Sequence, residues 1–190
     1  KDIKIEDLLE RDPIKLNSSL VKSYVHGKRV LITGAAGSIG SEIARQVLHY
    51  GPEQVIMLDQ AESPLYDFEQ DLKAVSSESI LEKAVFLIAN VKDLFRMESV
   101  FKEYKPEIVF HAAAYKHVPL MESFPAEAIF ANVQGSKNIA DLALKYNAEK
   151  FVMVSTDKAV NPSNVMGASK RIAEIYVQAL QEYSNKDLKK

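Results

Sequence analysis

Short apolar runs alternate with longer amphipathic segments from residue 29 onwards, and this alternation restricts the possible folds more than any other feature. The runs are rich in β-branched residues and are predicted to be buried strands, whereas apolar residues between them recur at helical spacing. The five predicted strands are RVLITG (29–34), QVIMLD (54–59), AVFLIAN (84–90), EIVFHAAA (107–114) and KFVMVST (150–156). Such an alternation forms right-handed βαβ units, so the sequence predicts an α/β fold with a doubly wound parallel sheet and helices on both faces.

A helix is predicted after each strand. The first, SIGSEIARQVLHY (38–50), ends at Gly51-Pro52, a pair that stops helices. Its apolar face is expected to consist of Ile39, Ile43, Val47 and Leu48. The remaining helices are predicted at about residues 64–75, 93–103, 125–146 and 165–183. Together these elements define one domain over residues 28–190.

Residues 1–27 differ from the rest, because charged residues there surround only a few apolar ones. Two interpretations are open: a leader that packs on the domain, or a partly ordered linker. The chain also starts at Lys1 and stops soon after the last predicted helix, so we expect it to be a fragment from which a C-terminal substrate-binding part is missing.

Composition excludes several classes of protein. The net charge of -2 gives no electrostatic reason to expect nucleic acid, and no apolar run approaches the roughly 20 residues that span a membrane. The chain has no cysteine, which rules out disulfides and thiolate metal sites and fits a reducing, cytoplasmic environment. Its four histidines lack a spacing typical of metal ligands, so we expect no metal.

The segment TGAAGSIG joins the first strand to the first helix through Gly34, Gly37 and Gly40. Glycine permits both the tight turn and the close approach of a pyrophosphate to the backbone, while the helix N-terminus, here at Ser38 and Ile39, offers free N–H groups. Turns also use glycine for purely structural reasons. The position of TGAAGSIG at the first βα junction nevertheless indicates a dinucleotide-binding loop of the Rossmann type.

Asp59 ends the second predicted strand and bears on the choice of dinucleotide. A carboxylate there can accept both adenosine ribose hydroxyls but would repel a 2′-phosphate, so the sequence predicts NAD rather than NADP as the cofactor. Asp59 as an ordinary turn residue is the alternative. The other strand ends should line the same site. The residues expected there are Gln60, Asn90, Val91, Ala112, Ala113, Ala114 and Ser155.

The end of the fifth strand carries the polar run Ser155, Thr156, Asp157 and Lys158. An ordinary turn could hold such a run, but an acid beside a base can also eliminate a hydroxyl, because one group takes a carbon-bound proton and the other protonates the departing oxygen. On the next helix Met166 and Lys170 lie one turn apart, so we expect both to reach the cleft. Active sites of nicotinamide-dependent enzymes usually have a tyrosine four residues before such a lysine. Met166 occupies that position here, and methionine cannot transfer a proton.

Four segments together resemble a known family. LITGAAGSIGSEIARQ, VIMLDQAESPLYDFEQDL, VFHAAAYKHVPLMESFPAEAIFANVQGSKNIA and VSTDKAVNPSNVMGASKR are similar to the extended short-chain dehydrogenase/reductases, and within them to the nucleotide-sugar 4,6-dehydratases of the CapD-like capsular polysaccharide group. The membrane-anchored branch of that group commonly has Met in place of Tyr, so the resemblance implies that Met166 marks a subfamily. It also implies that the full-length protein is held at the cytoplasmic face of the inner membrane.

The resemblance implies a redox-neutral dehydration of UDP-N-acetylglucosamine to a 4-keto-6-deoxy sugar, with NAD as the cofactor. It assigns Lys158 as the base at C5, Asp157 as the acid at the C6 oxygen, Thr156 as a contact of the C4 hydroxyl and Lys170 as a contact of the nicotinamide ribose. It places three further residues near the sugar: Lys116, His117 and Asn132. Asn90 takes the place near the adenine where many relatives carry Asp.

Two other functions remain open. A 4-epimerase or reductase of the same fold would also oxidise C4 but needs no acid–base pair directed at C5 and C6. A non-catalytic NAD-binding regulator would use the glycine loop alone. The expected partners are a UDP-sugar and, in a homo-oligomer, further copies of the chain; the fragment alone is expected to be inactive.

Overall fold

A computed structural model describes residues 18–187 of the chain, and its centre is a sheet of five parallel strands. The strands are β1 (Arg29–Thr33), β2 (Gln54–Asp59), β3 (Ala84–Ile88), β4 (Ile108–His111) and β5 (Lys150–Met153). Their spatial order is β3-β2-β1-β4-β5, so the chain reverses direction across the sheet at β1. This confirms the predicted doubly wound, Rossmann-like α/β fold.

Four of the strands end earlier than predicted. β3 stops at Ile88 rather than residue 90, β4 at His111 rather than residue 114, and β5 at Met153 rather than residue 156. β1 ends at Thr33, one residue before Gly34. The chain then continues as loops, and the small and polar residues after β1, β3 and β4 line a cleft at the carboxyl edge of the sheet.

Helices cover both faces of this sheet. They are α1 (Ser18–Val25), α2 (Ser38–His49), α3 (Glu62–Val75), α4 (Glu78–Leu81), α5 (Leu94–Tyr104), α6 (Val118–Ser123), α7 (Pro125–Ala128), α8 (Gly135–Lys145) and α9 (Val165–Asp187). The sequence analysis did not predict α1, α4 or α6, all of which are short. The predicted helix 125–146 is interrupted, because a π-helical turn, Ile129–Gln134, joins α7 to α8.

The core forms two layers, one on each face of the sheet. In β1, Val30 and Ile32 face a cluster that includes Leu48 and Phe68 of the helices on one side. Leu31, between them, faces the opposite cluster, which draws on α5 and α8. The central strands β1, β2 and β4 are therefore buried on both faces, which explains why they are continuous apolar runs rather than alternating ones.

Two predictions about the first part of the chain need comment. A leader was predicted for residues 1–27, and residues 1–17 of it lie outside the described residues. After them, α1 packs Val25 into the core. In α2 the predicted apolar face was partly wrong, because Ile39 is 54% exposed. The buried face consists of Gly40, Ala44, Val47 and Leu48, with Ile43 partly buried against the core.

Candidate active site

A cleft of about 760 Å³, part of it open to solvent, lies at the carboxyl ends of strands β1 to β4. All the residues predicted to bind the cofactor line it, except Ser155 and Lys170. The lining residues are Gly34, Gly37, Ser38, Ile39, Gly40, Leu58, Asp59, Gln60, Ala89, Asn90, Val91, Ala112, Ala113, Ala114, Tyr115, Lys116 and Ala131. The position agrees with the rule that doubly wound sheets bind ligands where the strand order reverses.

Two glycines of the loop, Gly34 and Gly40, have no room for a side chain. Gly34 has φ +70°, and a Cβ there would lie 2.5 Å from the backbone nitrogen of Ala113. A Cβ on Gly40 would lie 2.1 Å from the carbonyl oxygen of Gly34. The backbone therefore forms an open cradle ahead of α2, whose N-cap Gly37 supplies no side-chain hydrogen bond. Such a cradle fits a pyrophosphate, which backbone N–H groups and the helix dipole would stabilise.

Asp59 holds the cradle in place. Its carboxylate accepts hydrogen bonds from the backbone N–H of Ala36, at 3.0 Å, and from that of Ala61, at 2.9 Å. The first bond fixes the glycine loop and the second fixes the start of α3. Asp59 thus has the structural role that the alternative interpretation gave it, and it also lines the cleft.

Hydrogen bonds join the ends of three strands at the rim of this cleft. Asn90 Nδ2, after β3, donates to Gln60 Oε1, after β2, at 2.7 Å. Gln60 Nε2 donates in turn to the hydroxyl of Tyr115, after β4, at 3.2 Å. The sequence analysis did not select Tyr115, because a tyrosine after a strand is not by itself a functional signal.

Asn132 lies in the π-helical turn and is 0% exposed. Its Oδ1 accepts from the Tyr115 N–H at 2.8 Å, and its Nδ2 donates to the Tyr115 carbonyl at 3.0 Å and to Ser169 Oγ at 2.9 Å. The amide is therefore engaged by the protein itself. These bonds position the Tyr115 segment against α9, and the expected place of Asn132 near the sugar stays a prediction.

His111, at the end of β4, is buried and uncharged. Its ring bonds to Thr33 Oγ1 at 2.7 Å and to Ser136 Oγ at 2.9 Å. Burial, with a smaller contribution from the positive charge of Lys170, lowers the pKa of His111 to about 3. The neutral imidazole links β1, β4 and α8 beneath the cleft, which gives the strand ends a rigid base.

Asp157 and Lys158 lie in a single 3₁₀ turn after β5, Asp157–Ala159. Asp157 Oδ1 accepts from Thr156 Oγ1 at 2.9 Å and lies 3.4 Å from Lys158 Nζ. The Thr156 hydrogen bond, followed by the bond and charge of Lys158, lowers the pKa of Asp157. Both side chains are exposed, by 86% for Asp157 and 51% for Lys158, so the pair is in contact with water.

Lys170 lies on α9 and is only 5% exposed. Its Nζ donates to the carbonyl of Val154 at 2.7 Å, immediately before Ser155. Burial lowers the pKa of Lys170, and the carboxylate of Glu174 opposes that shift. The hydroxyl of Ser155 bonds to Glu174 and is the main cause of that carboxylate's lowered pKa. Sequence reasoning missed Glu174, because one acid on an amphipathic helix gives no signal.

Met166 is not among the residues that line the cleft described above, and its expected place in the site stays a prediction. It is 4% exposed and packs in a small apolar cluster with Met121 and Ala128. The next residue, Gly167, also matters: a Cβ there would lie 2.3 Å from the carbonyl oxygen of Lys158. Because Gly167 has no side chain, the 3₁₀ turn can pack directly on α9. The sequence analysis did not single out this glycine.

Lys116 and His117 follow the cleft-lining segment after β4. Both are exposed, and Lys116 lines the cleft while His117 precedes α6 as its N-cap residue. Within residues 18–187, no helix is long and apolar enough to cross a membrane. The same residues contain no cluster of His, Asp and Glu arranged to hold a metal ion.

Comparison with curated proteins shows extensive similarity. The chain is 49% identical over 186 residues to the capsular polysaccharide biosynthesis protein CapD of Staphylococcus aureus, covering 98% of this chain and 31% of that protein. It is 33% identical to a UDP-N-acetylglucosamine 4,6-dehydratase (inverting) of Campylobacter jejuni, covering 85% of this chain and 46% of that enzyme. It is 35% identical to a UDP-glucose 4-epimerase of Rickettsia canadensis, covering 77% of this chain and 42% of that enzyme.

Solved structures share the fold. Pen from Bacillus thuringiensis has a TM-score of 0.77 at 29% identity, covering 86% of this chain and 47% of that one. The Bordetella bronchiseptica enzyme WbmG, solved in complex with NAD, has a TM-score of 0.65 at 26% identity, covering 81% of this chain and 50% of that one. This chain therefore spans at most about half the length of these relatives. A family model described as "polysaccharide biosynthesis protein" matches residues 30–190, and the chain belongs to that family.

Proposed function

We propose that this chain is the cofactor-binding and proton-transfer part of an NAD-dependent nucleotide-sugar 4,6-dehydratase that acts on UDP-N-acetylglucosamine. The observation that carries the proposal is the Asp157–Lys158 pair, 3.4 Å apart, at the same sheet edge as the dinucleotide cradle. The acid and the base of an elimination are thereby combined with a cofactor site. The 33% identical dehydratase supports the reaction class and the substrate.

NAD fits the cleft by the construction of its lining. The cradle can form only because Gly34 and Gly40 have no Cβ atom. Asp59 places a carboxylate in the cleft, where it would repel a 2′-phosphate. When bound, NAD supplies a hydride acceptor that returns the hydride within the same turnover. Ser38 and Ile39 at the start of α2 would contact the phosphates, while Asn90 and Val91 would contact the adenine. Lys170 would contact the nicotinamide ribose.

Within this proposal Lys158 removes the proton at C5 and Asp157 delivers a proton to the C6 oxygen as the hydroxyl leaves. Thr156, which donates to Asp157, would also contact the C4 hydroxyl. These roles need a neutral amine beside a protonated carboxyl, whereas the bonds from Thr156 and Lys158 lower the pKa of the exposed Asp157. Covering the pair with substrate would disfavour both charges and shift the shared proton from Lys158 towards Asp157. Lys116 and His117, which follow the neighbouring strand β4, would orient the sugar.

A 4-epimerase is the second candidate, because a UDP-glucose 4-epimerase is 35% identical to this chain. Such an enzyme would use the same cradle and Lys170 but would give Asp157 and Lys158 no proton transfer at C5 or C6. A non-catalytic NAD-binding regulator would use neither part of the pair.

One experiment distinguishes the three functions. A protein that contains this chain together with the remainder found in its relatives is incubated with UDP-N-acetylglucosamine and NAD in deuterated water. A dehydratase gives a product lighter by one water that carries deuterium at C5. An epimerase gives a product of unchanged mass without that label, and a regulator gives no product. The 190-residue chain alone should give none, because contacts to the remote nucleotide position the sugar and raise turnover.

The same proposal assigns the protein to the cytoplasm, where the full-length form would be held at the inner membrane. It also includes a homo-oligomer, which a measurement of molar mass in solution tests directly.

A further inference from the structure

The hydrogen bond between Gln60 and Tyr115 joins two sides of the cofactor cleft. Gln60 follows β2 and Tyr115 follows β4, while β1, with the glycine cradle at its end, lies between those two strands in the sheet. Both residues line the same cleft as the cradle. Their contact, 3.2 Å from Gln60 Nε2 to the Tyr115 hydroxyl, therefore bridges the β2 and β4 sides of the cleft, with the cradle between them.

Both ends of this bridge are fixed to the fold. On one side, the Asn132 side chain bonds to both the N–H and the carbonyl of Tyr115, and Tyr115 packs against the buried cluster around Met121. On the other side, Asn90 donates to Gln60 at 2.7 Å, and Asn90 in turn accepts from the N–H of Lys92 at 2.9 Å. A contact between two anchored groups recloses readily after it opens.

We propose that Tyr115 is a positioning residue that acts through Gln60 as a strap across the bound cofactor. The strap opens to admit NAD, closes over it, and must open again for release. The inference rests on the proposed function for the identity of the cofactor. A reaction that returns its hydride within each turnover gains from such a strap, because the cofactor does not need to leave between turnovers.

The test uses the 190-residue chain and the fluorescence of NADH in a stopped-flow instrument. Association is followed on mixing, and dissociation is followed by a chase with excess NAD⁺. Tyr115→Phe removes only the hydroxyl and keeps the ring that packs against Met121. We expect both the association and the dissociation rate constants to rise by about 2- to 10-fold, the effect of losing one neutral hydrogen bond, while Kd changes by less than either rate.

Two further variants sharpen the result. Tyr66→Phe, on the exposed surface of α3 outside the cleft, is the matched control and should change neither rate. Gln60→Leu should accelerate both steps, and the double variant Gln60→Leu/Tyr115→Phe should be no faster than the faster single one, because both variants remove the same Gln60–Tyr115 bond.

The outcomes separate the strap from the function on which it rests. If the unmodified chain does not bind NADH, the proposed cofactor is wrong. If NADH binds but Tyr115→Phe leaves both rates unchanged, or raises only one of them, the strap is wrong while the cofactor site stands. A fall in association with faster dissociation would indicate local damage and would equally overturn the strap.

Discussion

The two ends of the candidate site are built in opposite ways. At the cofactor end, Gly34 and Gly40 leave no space for a Cβ atom, and the Asp59 carboxylate fixes the surrounding backbone. At the proton-transfer end, Asp157 and Lys158 project from one 3₁₀ turn and remain largely in contact with water. The first is rigid before any ligand arrives, whereas the second has a fixed backbone and exposed side chains.

This difference separates binding from chemistry within one chain. A dinucleotide needs preformed N–H donors, which the backbone of a single domain can supply. A proton transfer between charged groups needs water to be excluded, which requires a covering surface. The cofactor end should therefore work in this chain by itself, while the proton-transfer end should depend on whatever covers it.

The largest effect is expected from Gly34→Ala at the rigid end. The added Cβ would lie 2.5 Å from the backbone nitrogen of Ala113, on a residue whose positive φ is already unfavourable for alanine. A backbone shift cannot relieve both, so NAD binding should be lost and the free energy of unfolding should fall by more than about 4 kcal/mol. Gly27→Ala is the matched control: Gly27 has φ +69° but nothing within 4 Å of an added Cβ, and the change should cost only about 1–2 kcal/mol. Chemical denaturation and calorimetric titration measure both quantities.

Equal costs for the two alanine variants would show that the backbone angle alone matters at Gly34. The cofactor end would then be less rigid than its geometry implies, and the contrast between the two ends would weaken.

The next largest effect concerns the exposed end. In an active protein that contains this chain, Lys158→Ala should reduce turnover by roughly 10²–10⁴-fold, as expected for the loss of a general base. Deuterium exchange at C5 should be suppressed as well, because Lys158 removes that proton in our proposal. Asp157→Asn is the companion variant, and should preserve exchange while blocking loss of the hydroxyl. Normal exchange in Lys158→Ala would assign the base elsewhere.

A smaller effect is expected at Asp59, where the unmodified chain should bind NAD more tightly than NADP. Asp59→Ala should narrow that preference and weaken NAD binding by about tenfold, because the Ala36 N–H loses its acceptor. Asp59→Asn keeps an acceptor of similar size, so it should narrow the preference with less loss of NAD affinity. Calorimetric titration with both cofactors measures these differences. Equal affinity of the unmodified chain for both would remove the selective role of Asp59.

Met166→Ala should have the smallest effect on function. Met166 packs against Met121 and Ala128, so its truncation should lower the free energy of unfolding by about 2–5 kcal/mol. Turnover of the folded enzyme should fall by less than about tenfold, well below the loss expected for a proton-transfer group. A loss as large as that of Lys158→Ala, with NAD still bound, would contradict the division of roles between the two residues.

The sequence was sufficient for the sheet, the glycine loop and the polar turn after β5, because each depends on local patterns of apolar residues, glycine or charge. Strand ends were less accurate, since the residues after Ile88 and His111 are apolar enough to continue a strand yet leave it to line the cleft. The positions of Asn132 and Met166 could not be predicted, because both depend on how the π-helical turn and α9 pack together. Tyr115 is a contact partner of Gln60, 55 residues away, which no local pattern reveals.

The π-helical turn Ile129–Gln134 has a consequence for the permitted length of the chain. Such a turn contains one residue more than an α-helical turn, and one residue corresponds to a rotation of about 100° around a helix axis. Deleting one residue from this turn would therefore restore an α-helical turn and leave Ile139, Leu142 and Ala143 of α8 in the core cluster to which they belong. The same deletion inside α8 would turn the part of this face beyond it by about 100°, so a gap is tolerated in the π-helical turn and not in α8.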